Sequence, residues 1–116
     1  MTFQSSVNKT VLPNGVRVLS ERVPYVDSVS VGIWAQVGAR DEDSARHGLS
    51  HFIEHMVFKG TRNRTSRQIA DEMDSLGGQL NAFTDKEFTC YYSKVLCEHL
   101  PRALDVLSDM VLGPVF

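Results

Sequence analysis

The apolar residues change their spacing after residue 40, and no other feature of the sequence limits the fold as strongly. Between Ser28 and Val37 they occupy every second position, which predicts a strand buried on one face. After the acidic loop at residues 41–44 they follow helical spacing, in a stripe formed by Leu49, Phe52, Ile53, Met56 and Val57. We expect this stripe to pack a helix against the core. The chain therefore needs both strands and helices.

Turn and capping residues delimit the neighbouring elements. The turn Pro13-Asn14-Gly15 predicts a hairpin near the amino-terminal end, because Asn-Gly readily takes the positive φ angles of a tight turn. Thr65 and Gln68 form a predicted capping box at the start of a second helix. That helix is expected to end at Gly77-Gly78, since glycine favours the left-handed conformation that closes helices.

The remaining residues predict two more strands and a third helix. The strands span residues 79–84 and 87–95, and the helix carries Pro101 in its first turn, where a missing N–H does no harm. Together the elements predict an α+β fold, with helices packed on one face of a mixed or antiparallel sheet.

Size and charge exclude several classes of protein. A chain of 116 residues has room for one small domain. Its net charge of -2, without a long block of one sign, gives no reason to expect nucleic acid or a membrane as a partner. No apolar run suits a membrane helix, and no signal peptide is evident. Two cysteines, Cys90 and Cys97, fit a reducing compartment, so we expect a cytoplasmic protein.

The segment His51-Phe52-Ile53-Glu54-His55 contains an H-x-x-E-H motif within the first predicted helix. At about 100° per residue, His55 lies about 40° from His51 and Glu54 about 60° to its other side, so the three share one face. Two histidines one turn apart chelate one metal ion without distorting the backbone, and zinc is the expected ion. Glu54 is poorly placed as a third ligand and is expected to accept a proton from a water that the metal activates. This chemistry is peptide-bond hydrolysis.

Other interpretations of the motif stay open at this point. Both histidines are also compatible with an ordinary exposed helix surface. A structural zinc site would instead require four protein ligands and leave no position for water. His47 projects towards the same side, where it either supports a ligand or is simply exposed, and we favour exposure.

Several segments of the chain resemble the pitrilysin/insulysin family of zinc metallopeptidases, which includes the mitochondrial processing peptidases. They are HGLSHFIEHMVFKGT at residues 47–61, LGGQLNAFT at 76–84, EFTCY at 87–91 and LPNGV at 12–16. The resemblance covers nearly the whole chain, and it implies a metallopeptidase of the inverted zinc-motif type.

The resemblance also implies roles for particular residues. His51 and His55 would bind zinc, and Glu54 would be the base. Residues 81–83, which are Asn81, Ala82 and Phe83, would lie on an edge strand that pairs with an extended substrate peptide.

The chain departs from the family pattern at the third zinc ligand, a Glu that lies far beyond the second histidine. The last acidic residues here, Glu98, Asp105 and Asp109, do not lie at that distance. We therefore expect the third ligand beyond residue 116, and we expect residues 1–116 to be the amino-terminal part of a pitrilysin-like domain, truncated before its site is complete.

The predicted function is that of a zinc metalloendopeptidase domain that cleaves peptides or unfolded protein segments, and that is inactive as this piece alone. Active members of the family pair two such halves, so a second homologous domain or subunit is an expected partner. The alternative is a non-catalytic partner or scaffold subunit of a peptidase assembly.

Three further groups have an ordinary interpretation, and for two of them we favour it over a functional one. Cys90, Cys97 and His99 match no zinc spacing and are expected to be reduced thiols beside an unrelated histidine. Trp34 is explained equally well as a cover for a cleft or a partner surface and as ordinary packing between sheet and helix. The basic residues between the first two helices are expected to form a solvated loop and not an anion site. They are Lys59, Arg62, Arg64 and Arg67.

Overall fold

The computed structural model describes residues 6–38, 40 and 42–115. Residues 1–5, 39, 41 and 116, which include Asp41 of the predicted acidic loop, lie outside this part. The strands are β1 (Ser6–Val11), β2 (Arg17–Arg22), β3 (Ser28–Ala35), β4 (Gln79–Thr84) and β5 (Thr89–Leu96). The α-helices are α1 (Leu49–Val57), α2 (Ser66–Ser75) and α3 (Leu100–Leu112). The predicted α+β fold class is confirmed.

All strand pairs of the described residues are antiparallel, and they form two sheets where the sequence analysis expected one. Strands β1 and β2 form the predicted hairpin, with Val11 opposite Arg17 and Gly15 in the turn at a φ of 92°. The second sheet has the order β3-β5-β4. Strand β4 therefore lies at an edge of this sheet, and its last residue, Thr84, pairs with Thr89 of β5.

The core lies between one face of the three-stranded sheet and the helices. Tyr91 and Val95 of β5 face it, and the half-buried Val31 of β3 packs beside them. Leu76, which follows α2 directly, also faces the core, and the helices contribute Val57, Ile69, Met73, Ala103, Val106, Leu107 and Met110. The expectation of helices on one face of a sheet is thus confirmed for this sheet.

The capping residues predicted for α2 are confirmed at both ends. The Thr65 hydroxyl accepts a hydrogen bond from the Gln68 N–H at 3.1 Å, and the Gln68 side chain accepts one from the Thr65 N–H at 2.8 Å. At the other end Gly77 takes a φ of 66°, which a residue with a Cβ rarely adopts. Within the described residues, no helix is both long and apolar enough to cross a membrane.

Arg64 fixes the loop between α1 and α2 to α3, which corrects our interpretation of the basic residues there. Its guanidinium lies 2.8 Å from Asp109, 2.7 Å from Asp105 and 3.1 Å from Glu72. The hydrogen bond to Asp105 is the largest of the contacts that hold the pKa of Arg64 above its usual value. Only 16% of the Arg64 side chain is exposed, against 91% for Arg67. Arg67 is solvated as expected, and Arg64 is not.

Candidate metal centre

The amino-terminal end of α1 is held by Glu42. The two carboxylate oxygens of Glu42 accept hydrogen bonds from the N–H groups of Gly48 at 2.7 Å and Ser50 at 3.1 Å. The hydrogen bond from Ser50 is the largest cause of a pKa of Glu42 below the usual range. The Ser50 hydroxyl donates in turn to the Gly38 carbonyl at 3.4 Å. Sequence reasoning placed Glu42 only in an acidic loop, although an acidic side chain just before a helix is a known signal for such a contact.

His51 and His55 lie one turn apart on the exposed side of α1. Their Nε2 atoms are 3.2 Å apart, and the rings meet at 89° with centroids 4.5 Å apart. Ligands about 2.0–2.1 Å from a tetrahedral zinc ion lie about 3.3 Å from each other. The two nitrogens therefore have the separation that zinc requires.

Glu54 lies on the buried side of the same helix, which corrects our expectation for the orientation of α1. Glu54 is 8% exposed, whereas Phe52 of the predicted core stripe is 59% exposed. Leu49 and Ile53 of that stripe are exposed as well. Val57 of that stripe is buried as predicted, at 4% exposed. The physical reason for this orientation is a polar contact between α1 and β4, since Glu54 Oε2 accepts a hydrogen bond from the Thr84 hydroxyl at 2.5 Å. A hydrogen bond of this kind offsets much of the cost of burying a carboxylate.

The three side chains of the motif lie close to one another. One ligand atom from each of His51, Glu54 and His55 lies within 4.8 Å of the other two. Among the described residues, no other His, Cys, Asp or Glu joins this cluster. Asp105 and Asp109, the last aspartates of the chain, lie instead against Arg64. The cluster offers a metal two nitrogens and places a carboxylate beside them.

The expected substrate-binding residues all lie on β4, the edge strand. Asn81 is exposed and its Oδ1 accepts a hydrogen bond from the Ala82 N–H at 2.9 Å. Ala82 packs against the core, and Phe83 lies on the opposite face of the sheet. The sequence placed this strand correctly, and the next residue along it, Thr84, is the one that contacts Glu54.

Trp34 lies on the outer face of the sheet, so the expectation that it packs between sheet and helix is wrong and the expectation that it covers a cleft or a partner surface stays open. Its side chain is exposed and meets Phe83 and Phe88 edge to face, with ring centroids 5.5 and 6.1 Å apart. Across the same face, the ring of Tyr92 lies 6.1 Å from that of Phe83. Cys90 lies opposite Trp34 on one side and Phe83 on the other in the strand register and is buried, whereas Cys97 is exposed. Both thiols are free, as expected.

Comparison with known proteins connects this site to a family. The sequence pattern of the insulinase family (peptidase family M16) matches residues 17–116. The chain is 50% identical to an uncharacterized zinc protease of Streptomyces coelicolor over 93% of its own length and 24% of that protein. It is 50% identical to the uncharacterized zinc protease YmxG of Bacillus subtilis over 95% of its length and 27% of that protein. The chain thus spans about a quarter of the length of these curated relatives.

Proposed function

Because the chain belongs to the insulinase family, peptidase family M16, we propose that it carries the zinc-binding helix of a metalloendopeptidase. The substrates are peptides or unfolded protein segments. The observation that supports this most directly is the 3.2 Å separation of the His51 and His55 Nε2 atoms, with a Glu54 carboxylate oxygen within 4.8 Å.

Each residue of the motif has a distinct role in this proposal. His51 and His55 hold the zinc ion through Nε2. A bound zinc ion supplies Lewis acidity, which lowers the pKa of a water molecule and polarises a carbonyl group. Glu54 accepts the proton of the attacking water. Its carboxylate lies beside the two imidazoles but on the buried side of α1, and this position suits a base better than a ligand.

The substrate lies along the edge of the sheet in this proposal. An extended peptide adds a strand to β4 at Asn81, Ala82 and Phe83, because an edge strand offers unpaired backbone groups to another chain. Since those contacts are made to backbone atoms, the preference for particular sequences is modest.

The relatives are about four times as long as the chain, and among the described residues the cluster at α1 offers a metal only the two histidine ligands, beside the base Glu54. We therefore propose that residues 1–116 are the amino-terminal part of a longer domain, in which a later residue completes the zinc site. A second homologous domain or subunit is proposed to close the cleft. The two free thiols support a reducing compartment, and we propose the cytoplasm.

Two substitutions in the complete protein test the roles of the motif. Glu54→Gln is expected to abolish hydrolysis of an unfolded protein substrate while one zinc ion per chain stays bound, because it removes the base but no ligand. His51→Ala is expected to lower zinc affinity, because it removes one of the ligands. Zinc content is measured by metal analysis after dialysis, and hydrolysis by release of peptide fragments.

His99→Ala is the matched control, since the nearest charged partner of His99 is Glu98 at 3.7 Å and it lies outside the cluster. It is expected to change neither zinc content nor turnover. Turnover by Glu54→Gln would eliminate Glu54 as the base, and full zinc content in His51→Ala would eliminate the ligand assignment. A wild-type protein that binds zinc but cleaves nothing would favour the scaffold alternative.

A further inference from the structure

The carboxylate of Glu54 is held at one of its two oxygens by a residue of the edge strand. Thr84 Oγ1 donates to Glu54 Oε2 at 2.5 Å. That distance is typical of a strong hydrogen bond from a hydroxyl to an ionised carboxylate. Thr84 ends β4, directly after the segment 81–83, and its side chain faces α1 while that of Phe83 faces the other side of the sheet.

The hydrogen bond runs from Thr84 to Glu54, and the neighbouring Thr89 takes no part in it. Thr89 Oγ1 donates its single proton to the Val37 carbonyl at 2.8 Å. The Thr84 and Thr89 hydroxyls are 3.5 Å apart, but because the Thr89 proton is donated to Val37, Thr84 receives no proton from Thr89. A carboxylate can only accept. The proton of Thr84 therefore belongs to Glu54.

The other oxygen of Glu54 has no such partner. Among the described residues, no donor lies within hydrogen-bond distance of Oε1. We propose that Thr84 is a positioning residue, whose hydroxyl holds Oε2 so that Oε1 stays available for the proton of the attacking water. This inference rests on the proposed function, because it assigns Thr84 a role through the base Glu54.

Two substitutions distinguish the role of the Thr84 hydroxyl from that of the shape of its side chain. Thr84→Val keeps the branched shape and removes the donor, and Thr84→Ser keeps the donor. In the complete, zinc-loaded protein, Thr84→Val is expected to lower kcat about 10–100-fold, with KM and zinc content unchanged. Thr84→Ser is expected to restore most of the activity. Thr89→Val is the matched control, because it removes a neighbouring hydroxyl that does not contact Glu54, and it is expected to leave kcat close to the wild-type value.

A second measurement on the metal-free protein does not depend on activity. Urea unfolding is compared for wild type, Thr84→Val, Glu54→Met and the double variant. Thr84→Val is expected to lower the folding equilibrium constant about tenfold when Glu54 is present, and to change it little in the Glu54→Met background. Thr84→Ala replaces Thr84→Val in both experiments if the valine variant does not fold.

Each outcome supports or overturns the inference. The inference is overturned if Thr84→Val has the kcat of the wild type, or if Thr84→Val loses zinc. It is also overturned if Thr84→Ser loses as much kcat as Thr84→Val does. Equal effects on folding in both backgrounds show that the contact does not exist. If wild type cleaves no substrate while the coupling is present, the contact stands and the proposed function fails, and the positioning role fails with it.

Discussion

Replacing Arg64 by methionine is expected to destabilise the protein strongly, because it removes the partner of a buried carboxylate. The Asp109 side chain is 9% exposed, and Arg64 Nη1 lies 2.8 Å from its Oδ2. Removal of one member of a buried ion pair costs about 3–5 kcal/mol. The Thr61 hydroxyl and the Asn63 amide also donate to Asp109, at 2.6 and 3.0 Å, so the lower end of this range applies to Asp109.

The other two carboxylates change this figure little. The Asp105 side chain is 71% exposed, and exposed ion pairs contribute about 0–1 kcal/mol. Glu72, with 34% exposed, lies between the two cases. We therefore expect Arg64→Met to lower the free energy of unfolding by about 3 kcal/mol, a large part of the stability of a small domain.

Urea unfolding followed by circular dichroism measures this change, and Arg67→Met is the matched control. It makes the same change of charge, but Arg67 is 91% exposed and lies 3.9 Å from Asp71, so a cost below about 0.5 kcal/mol is expected. Equal costs for the two variants would refute the reasoning. A double-mutant cycle with Asp109→Asn then assigns the cost to the pair, and the coupling is expected to persist at high salt because the pair is screened little.

Two further predictions concern the segment that precedes α1. The pKa of Glu42 lies below its usual value because of the hydrogen bonds from Ser50 and Gly48, so the stability from Glu42 is present above about pH 4.3 and is lost as the pH falls through the lowered pKa. The free energy of unfolding is measured for wild type and Glu42→Gln between pH 6 and about 3. The difference between the two proteins should shrink as the pH falls, and a constant difference would contradict this. A Cβ on Gly38 would lie 2.5 Å from the Asp85 carbonyl oxygen, so Gly38→Ala should lower the free energy of unfolding by about 1–3 kcal/mol. Gly113→Ala, whose Cβ would meet nothing closer than 3.4 Å, is the control in the same urea experiment, and equal costs would exclude the steric explanation.

The elements that the sequence predicts well are those whose signals lie within a few residues. The capping box joins Thr65 to Gln68, three residues apart, and the alternation of β3 needs only its own eight residues. The hairpin is likewise set by its Asn-Gly turn. Such contacts are nearly independent of the rest of the chain, so one sequence is sufficient to find them.

The role of Arg64 was not predictable in this way, because its partners come from distant parts of the chain. Asp105 and Asp109 lie 41 and 45 residues later. A cluster of basic residues in a loop is usually solvated, and nothing local distinguishes Arg64 from Arg67. Only the packing of α3 against the loop brings the carboxylates to one of the two arginines.

The orientation of α1 was mispredicted for a different reason. The apolar stripe was a clear local signal, but the fold buries Glu54 and exposes Phe52. Burial of the Phe52 side chain in place of Glu54 would contribute about 1.5–3 kcal/mol, and a buried carboxylate adds a desolvation cost that its one hydrogen bond offsets only in part. Both costs fall on the helix that carries the H-x-x-E-H motif, in a chain that spans about a quarter of the length of its relatives. Conflicts between local preference and the final structure are expected where function requires a residue in an unfavourable position. The same orientation that exposes Phe52 places Glu54 beside Thr84 and leaves both imidazoles exposed, which is the arrangement that the proposed zinc site requires and that the pattern of apolar residues did not predict.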